Sequence, residues 1–132
     1  YFMRLRLQSM ANSRDKGAAF ERKICSLIKD ALGYDARRNL DQYQVGGADI
    51  EIPGWSIECK AYQKGTIFKS SWWEQCKNNA NDKRPVLIYK FNNHPIKCVI
   101  QLEVIKKDFS AGKDFICEVD FDTWCYIVRE TI

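Results

Sequence analysis

Apolar residues recur three and four apart at Phe20, Ile24, Leu27, Ile28 and Ala31, and the pattern stops at Gly33. That period predicts an amphipathic helix, with glycine as its natural stop. Ser13 and Asp15 offer oxygens suited to cap its first turn. Glu21 lies beside the stripe, one turn before Cys25 and two before Ile28, at the edge of the buried face. YDARRNL (34–40) reads as a strand, and DQYQVGG (41–47) as a loop whose glycines permit unusual backbone angles or close approach.

The period then changes from helical to two. In ADIEIPGWSIECK (48–60), Ala48, Ile50 and Ile52 alternate with Asp49 and Glu51, while Trp55, Ile57 and Cys59 alternate with Ser56, Glu58 and Lys60. Two strands joined at Pro53-Gly54 fit this pattern. A symmetric loop there pairs residue 51 with 56, 50 with 57, and 49 with 58, which sets Asp49 directly opposite Glu58. Glu51, nearer the turn, is expected to face solvent.

Ser71 and Glu74 have the spacing of a capping box and predict a helix from Trp72 to Asn81. PVLIYKF (85–91) and KCVIQLEVI (97–105) read as strands, the first apolar enough to be central. FICEV suits a short strand, and DFDTWCYIVRE spaces Phe121, Trp124, Cys125 and Val128 as a helix capped by Asp120 or Asp122. This order predicts an α/β fold with a mixed central β-sheet flanked by helices. Nothing divides the chain, so residues 1–132 are expected to form one domain, with 106–132 an extension packed on the core. Residues 1–9, ahead of Met10, read as a non-native leader.

Composition narrows the function classes. Hydrophobic residues make up 45% and aromatics 13%, a globular balance. The net charge of +4 is concentrated: residues 1–69 hold 12 Lys/Arg against 8 Asp/Glu, and residues 70–132 hold 9 of each. The six cysteines are scattered without a Cys-x-x-Cys pair or a nearby histidine pair, which argues against zinc and for reduced thiols in a cytoplasmic setting. His94 is the only histidine and precedes a proline, so triads, dyads and histidine-metal nuclease sites have little to rest on. No apolar run approaches membrane-spanning length.

Two carboxylates facing each other across a hairpin repel, and something must offset that cost. A divalent cation would, because Mg²⁺ takes one or two carboxylates and fills its remaining positions with water and phosphate oxygen. Lys60 follows Glu58 on the same face, where an ammonium could stabilise charge developing on a phosphate. Taken singly, Glu58 and Lys60 could equally be a solvated ion pair worth little. Their order and placement together are what carry the argument.

That order resembles the PD-(D/E)xK nuclease superfamily, whose signature is an acid on one strand, Glu-x-Lys on the next, and often a glutamate on a preceding helix. Asp49, Glu58-Cys59-Lys60 and Glu21 occupy those places in sequence, over a likeness spanning about residues 13–105. Ala48 stands where the family name has proline. Within the superfamily, the short chain, the KGAAFERKI helix and the GGADIEI strand resemble Holliday junction resolvases of the archaeal and phage type. The resemblance implies a restriction-endonuclease-like core that hydrolyses DNA with Mg²⁺, for which Mn²⁺ can substitute. It implies Asp49, Glu58 and the backbone carbonyl of Cys59 as metal ligands, with Glu21 a further ligand or a group just behind them. Lys60 would orient the attacking water, and Gln75 resembles a glutamine that some members bring to the site. A phage-encoded homodimer acting on branched or four-way DNA is the expected form, since such a junction presents two symmetric strands.

Arg14, Lys16, Arg37, Arg38, Lys64 and Lys69 flank the acids in sequence and are candidates for a phosphate-contacting rim, as an ordinary basic surface would also provide. The loops 41–47 and 65–71 are candidates to touch substrate. Trp72 and Trp73 could stack on bases but suit a core better. Two rivals remain at this stage. One is a nicking, exonucleolytic or restriction-like enzyme of the same fold, and the other is an inactive DNA-binding module.

Overall fold

Helix α1 (Phe2–Leu32) buries most of the predicted stripe: Phe20, Ile24 and Ile28 are in the core, Leu27 is half-buried and Ala31 is exposed. Gly33, at φ +78°, ends it with an amide bond back to the Lys29 carbonyl at 2.9 Å. The helix begins well before Ser13 and Asp15, so neither residue caps it; both lie inside a continuous helical run. The computed structural model describes residues 2–40, 46–110 and 114–131, with the side chains of 2–14 and 109–110 excluded.

Strands β1 (Ile50–Ile52) and β2 (Trp55–Tyr62) form the antiparallel hairpin with the expected register, Glu51 opposite Ser56 and Ile50 opposite Ile57. Gly54 turns the corner at φ +80°, a conformation other residues adopt only under strain. The segment 34–40 is not a strand, because its pairing reduces to one antiparallel bridge between Arg38 and Ile50.

From β2 the chain crosses through α2 (Ser70–Ala80) to β3 (Arg84–Phe91), which pairs parallel with β2. The Ser71/Glu74 capping box does not form. The helix starts two residues earlier, Lys69 is the N-cap without a side-chain bond, and Glu74 turns out to Lys77 at 3.1 Å. Strand β3 is buried on both faces and stands third in the five-stranded order β1-β2-β3-β4-β5, the central place its apolar run demands.

Strand β4 (Lys97–Gln101) is shorter than the KCVIQLEVI pattern suggests, since Leu102–Val104 tightens into a 3₁₀ turn. Strand β5 (Ile116–Asp120) then pairs antiparallel with β4, and α3 (Phe121–Glu130) is capped by Asp120, whose carboxylate accepts from the Thr123 amide at 2.7 Å. The tail therefore supplies an edge strand and a core helix.

Alternation divides the sheet into two packed layers. Ile57, Cys59, Val86, Ile88, Cys98 and Ile100 meet α1 and α3, with Trp124 edge-on to Trp55 at 5.8 Å. Leu87, Tyr89, Phe91 and Val99 meet Trp72, Trp73 and Cys76 of α2. Both tryptophans of α2 are thus core residues. Ser56, Glu58 and Lys60 have the parity of the α2 side. All six cysteines are free thiols. Among the described residues, no helix is long and apolar enough to cross a membrane.

Candidate active site

Glu58 lies in the middle of β2, 3% exposed, and Asp49 just ahead of β1 is 5% exposed. Burial of two facing carboxylates follows from the hairpin register and from α2 lying over them. Residues 46–49 are held by Asn39, whose amide donates to the Asp49 carbonyl at 2.8 Å and whose Nδ2 donates to the Ala48 carbonyl at 3.1 Å and the Gly46 carbonyl at 3.3 Å. Gly46 and Gly47, at φ +69° and +98°, make that bend possible.

The Cys59 amide donates to Asp49 Oδ2 at 2.8 Å. The side chain of Asp49 therefore takes up the ladder where β1 stops, and the Cys59 carbonyl shares the same side of the strand as its amide. Glu58 Oε1 is 3.9 Å from the Lys60 ammonium, and Glu58 Oε2 receives a long 3.5 Å bond from Asn79 Nδ2. Lys60 in turn donates to Gln75 Oε1 at 2.9 Å. Gln75 and Asn79 stand one turn apart on α2 and present both amides to the cleft. The cleft has a volume of about 410 Å³ and is lined by these residues with Gly46 and Gly47.

Burial, and then the neighbouring Asp49, push the Glu58 carboxyl up to about 8, against the smaller pull of Lys60. The charge at this point is undercompensated by the protein alone. The Cys59 thiol is raised by burial first and by the surrounding acids, and the Cys76 thiol by burial first and by Glu58, so both stay protonated and neither offers a thiolate. The donors on offer are hard oxygens, two carboxylates and a carbonyl, which suit Mg²⁺ rather than a soft cation. Among the described residues, no cluster of three or more His, Cys, Asp or Glu side chains could hold a metal. A cation here would take few protein ligands and leave positions for water and phosphate oxygen, which is the habit of Mg²⁺.

Glu21 does not line the cleft. It rises from α1 on the other side of the sheet, where Arg38 Nε donates to its Oε1 at 3.1 Å. Its carboxyl is raised by burial and next by Asp49, while Arg38 lowers it. Arg38 is accordingly not a free rim cation, because its side chain is turned onto Glu21 and only 25% exposed. Of the other basic candidates, Arg37, Lys64 and Lys69 are exposed, and Lys16 is bonded to Asn92. The side chain of Arg14 and residues 41–45 of the DQYQVGG loop lie outside the described residues. Glu51 faces solvent as expected, 3.3 Å from Lys83. Asn79 was missed by sequence reasoning, though its one-turn spacing from Gln75 was the available signal. A larger concavity of about 540 Å³ at Arg84, Glu103, Val104, Ile105 and Lys107 has no facing carboxylates and none of these donors.

Residues 12–123 match the model of a family of phage PDDEXK endonucleases, a stretch that continues past residue 105 through β5. The fold is similar to that of a solved Holliday junction resolvase, Hjc of the archaeal hyperthermophile Archaeoglobus fulgidus. The two are 14% identical, with a TM-score of 0.56 over 86% of this chain and 99% of that one. No curated protein matches in sequence.

Proposed function

The chain belongs to the phage PDDEXK endonuclease family, and on that premise we propose that it is a Mg²⁺-dependent, structure-selective endodeoxyribonuclease that resolves four-way DNA junctions as a homodimer. The observation that carries this reading is the buried pair of Asp49 and Glu58 with Lys60 beside it, in a cleft open to substrate. The likeness of fold to a protein titled a Holliday junction resolvase favours the junction among DNA substrates.

Asp49, Glu58 and the Cys59 carbonyl would hold the cation. When bound, it supplies Lewis-acid polarisation of the phosphate and lowers the pKa of water at the site. The chain's own groups do the rest. Gln75 fixes the Lys60 ammonium at 2.9 Å, which removes its rotamer freedom and aims it into the cleft. There Lys60 orients the attacking water and meets negative charge as the water oxygen bonds to phosphorus and the bond to the leaving oxygen breaks. Asn79 steadies the far oxygen of Glu58. Arg37, Lys64 and Lys69 are free to contact phosphates, which gives affinity without sequence preference. Two active sites related by a two-fold axis match the two strands a junction offers.

The test is cleavage in Mg²⁺ of a four-way junction beside linear duplex and single-stranded DNA of the same sequence. Paired symmetric cuts in the junction are the expected result. Equal cutting of all three substrates would refute junction selectivity, and no cutting with retained binding would leave a DNA-binding module.

A further inference from the structure

Arg38 was expected to touch DNA, and the structure gives it another task. Its backbone forms the single bridge to Ile50, and the next residue, Asn39, bonds the Asp49 carbonyl at 2.8 Å. From that fixed position the guanidinium donates to Glu21 at 3.1 Å, with the two side chains only 25% and 12% exposed. Glu21 is within electrostatic reach of Asp49. Residues 38 and 39 thus hold the main chain on which Asp49 sits and also neutralise the carboxylate behind it.

We propose that the Arg38–Glu21 pair is a resident, internally neutral charge unit that sets how tightly the Asp49–Glu58 site holds a divalent cation, with Arg38 a positioning residue and not a DNA contact. This rests on the metal-dependent reading above. The argument is one of charge. An intact pair adds almost no net field at the cation, whereas either half alone adds a full charge through a poorly screened interior. Losing Arg38 leaves Glu21 to attract the cation, and losing Glu21 leaves Arg38 to repel it. Losing both restores neutrality.

Mn²⁺ titration of the full chain without DNA, followed calorimetrically, reads this out independently of cleavage. Arg38→Gln is expected to tighten Mn²⁺ binding roughly three- to tenfold and Glu21→Gln to weaken it by a similar factor. The double variant should return to within about twofold of the parent, and Arg38→Lys should resemble the parent. If both single variants weaken binding, the pair is only a structural support and the proposal fails. If the double variant binds as poorly as Glu21→Gln, then Glu21 is itself a ligand and the proposal fails. If Arg38→Gln weakens junction binding and leaves Mn²⁺ affinity unchanged, Arg38 is a DNA contact and the proposal fails. Should Arg38→Gln not fold, as judged by its thermal melt, Glu21→Gln and the double variant, which leaves neither charge unpaired, still decide it: the first must weaken binding and the second must restore it to within about twofold of the parent. A parent chain that binds no Mn²⁺ would overturn the nuclease reading itself, an outcome distinct from all of these.

Discussion

The two sides of the sheet handle buried charge in opposite ways. On the α1 side, Glu21 is answered by a guanidinium at 3.1 Å, at the edge of a core of aliphatic and aromatic side chains. On the α2 side, Asp49 and Glu58 face each other with an amide, an ammonium 3.9 Å away and a long bond from Asn79. A fold that needed only stability would have neutralised both places. The larger shortfall of compensating charge lies on the α2 side, beside an open cleft, which is the arrangement the proposed cation site needs.

If that contrast is real, substitutions on the two sides must fail differently. The largest effect is expected on the α2 side: Glu58→Gln should reduce Mg²⁺-dependent cleavage by about 10³-fold while junction binding, measured by gel shift, survives. Cleavage persisting at near-parental rate would remove Glu58 from the site. On the α1 side the same severity should appear as stability. Ile28→Ala, at a fully buried position, should cost about 2–5 kcal/mol in urea unfolding. Below its melting point that variant should cut at the parental rate, and a large loss of rate without loss of stability would erase the contrast.

The smallest effect is a dependence on pH. Because the Glu58 carboxyl is raised from 4.5 to about 8 in the folded chain, the folded state holds its proton more tightly than the unfolded state does. The Glu58 contribution to the stability of the metal-free protein is therefore fully present below about 4.5 and is lost as the pH rises towards about 8, by on the order of 1–3 kcal/mol. Unfolding in chelator across that window should show the decline, and Glu58→Gln should flatten it. A stability that rises across the same window in the parent chain would contradict the undercompensated pair.

The part of the site carried by the hairpin was legible in sequence, because a period of two and a Pro-Gly corner fix register, and register alone sets Asp49 opposite Glu58. The rest depended on tertiary placement. Arg38 and Glu21 are joined because residues 34–40, which alternate like a strand, make one ladder bridge, between Arg38 and Ile50, and deliver the Arg38 side chain inward. Asn79 entered through the rotation of α2, which its own sequence does not specify. The ends of elements were the weakest inference, as the capping oxygens at Ser13, Asp15 and Ser71 lie inside helices that begin before them.

Helix α2 is also the crossover that joins β2 to its parallel partner β3. The acids sit on a hairpin of neighbouring residues, a structure that closes early, whereas Gln75 and Asn79 arrive only when the longer loop through α2 has closed. Assembly of the cutting machinery is thereby tied to the slowest kind of strand pairing in the molecule. A chain still leaving the ribosome, or one unravelled by heat, carries its carboxylates without the amide that holds the lysine. On the proposed reading, the fixed lysine that cleavage needs is a property of the completed crossover and not of the hairpin alone.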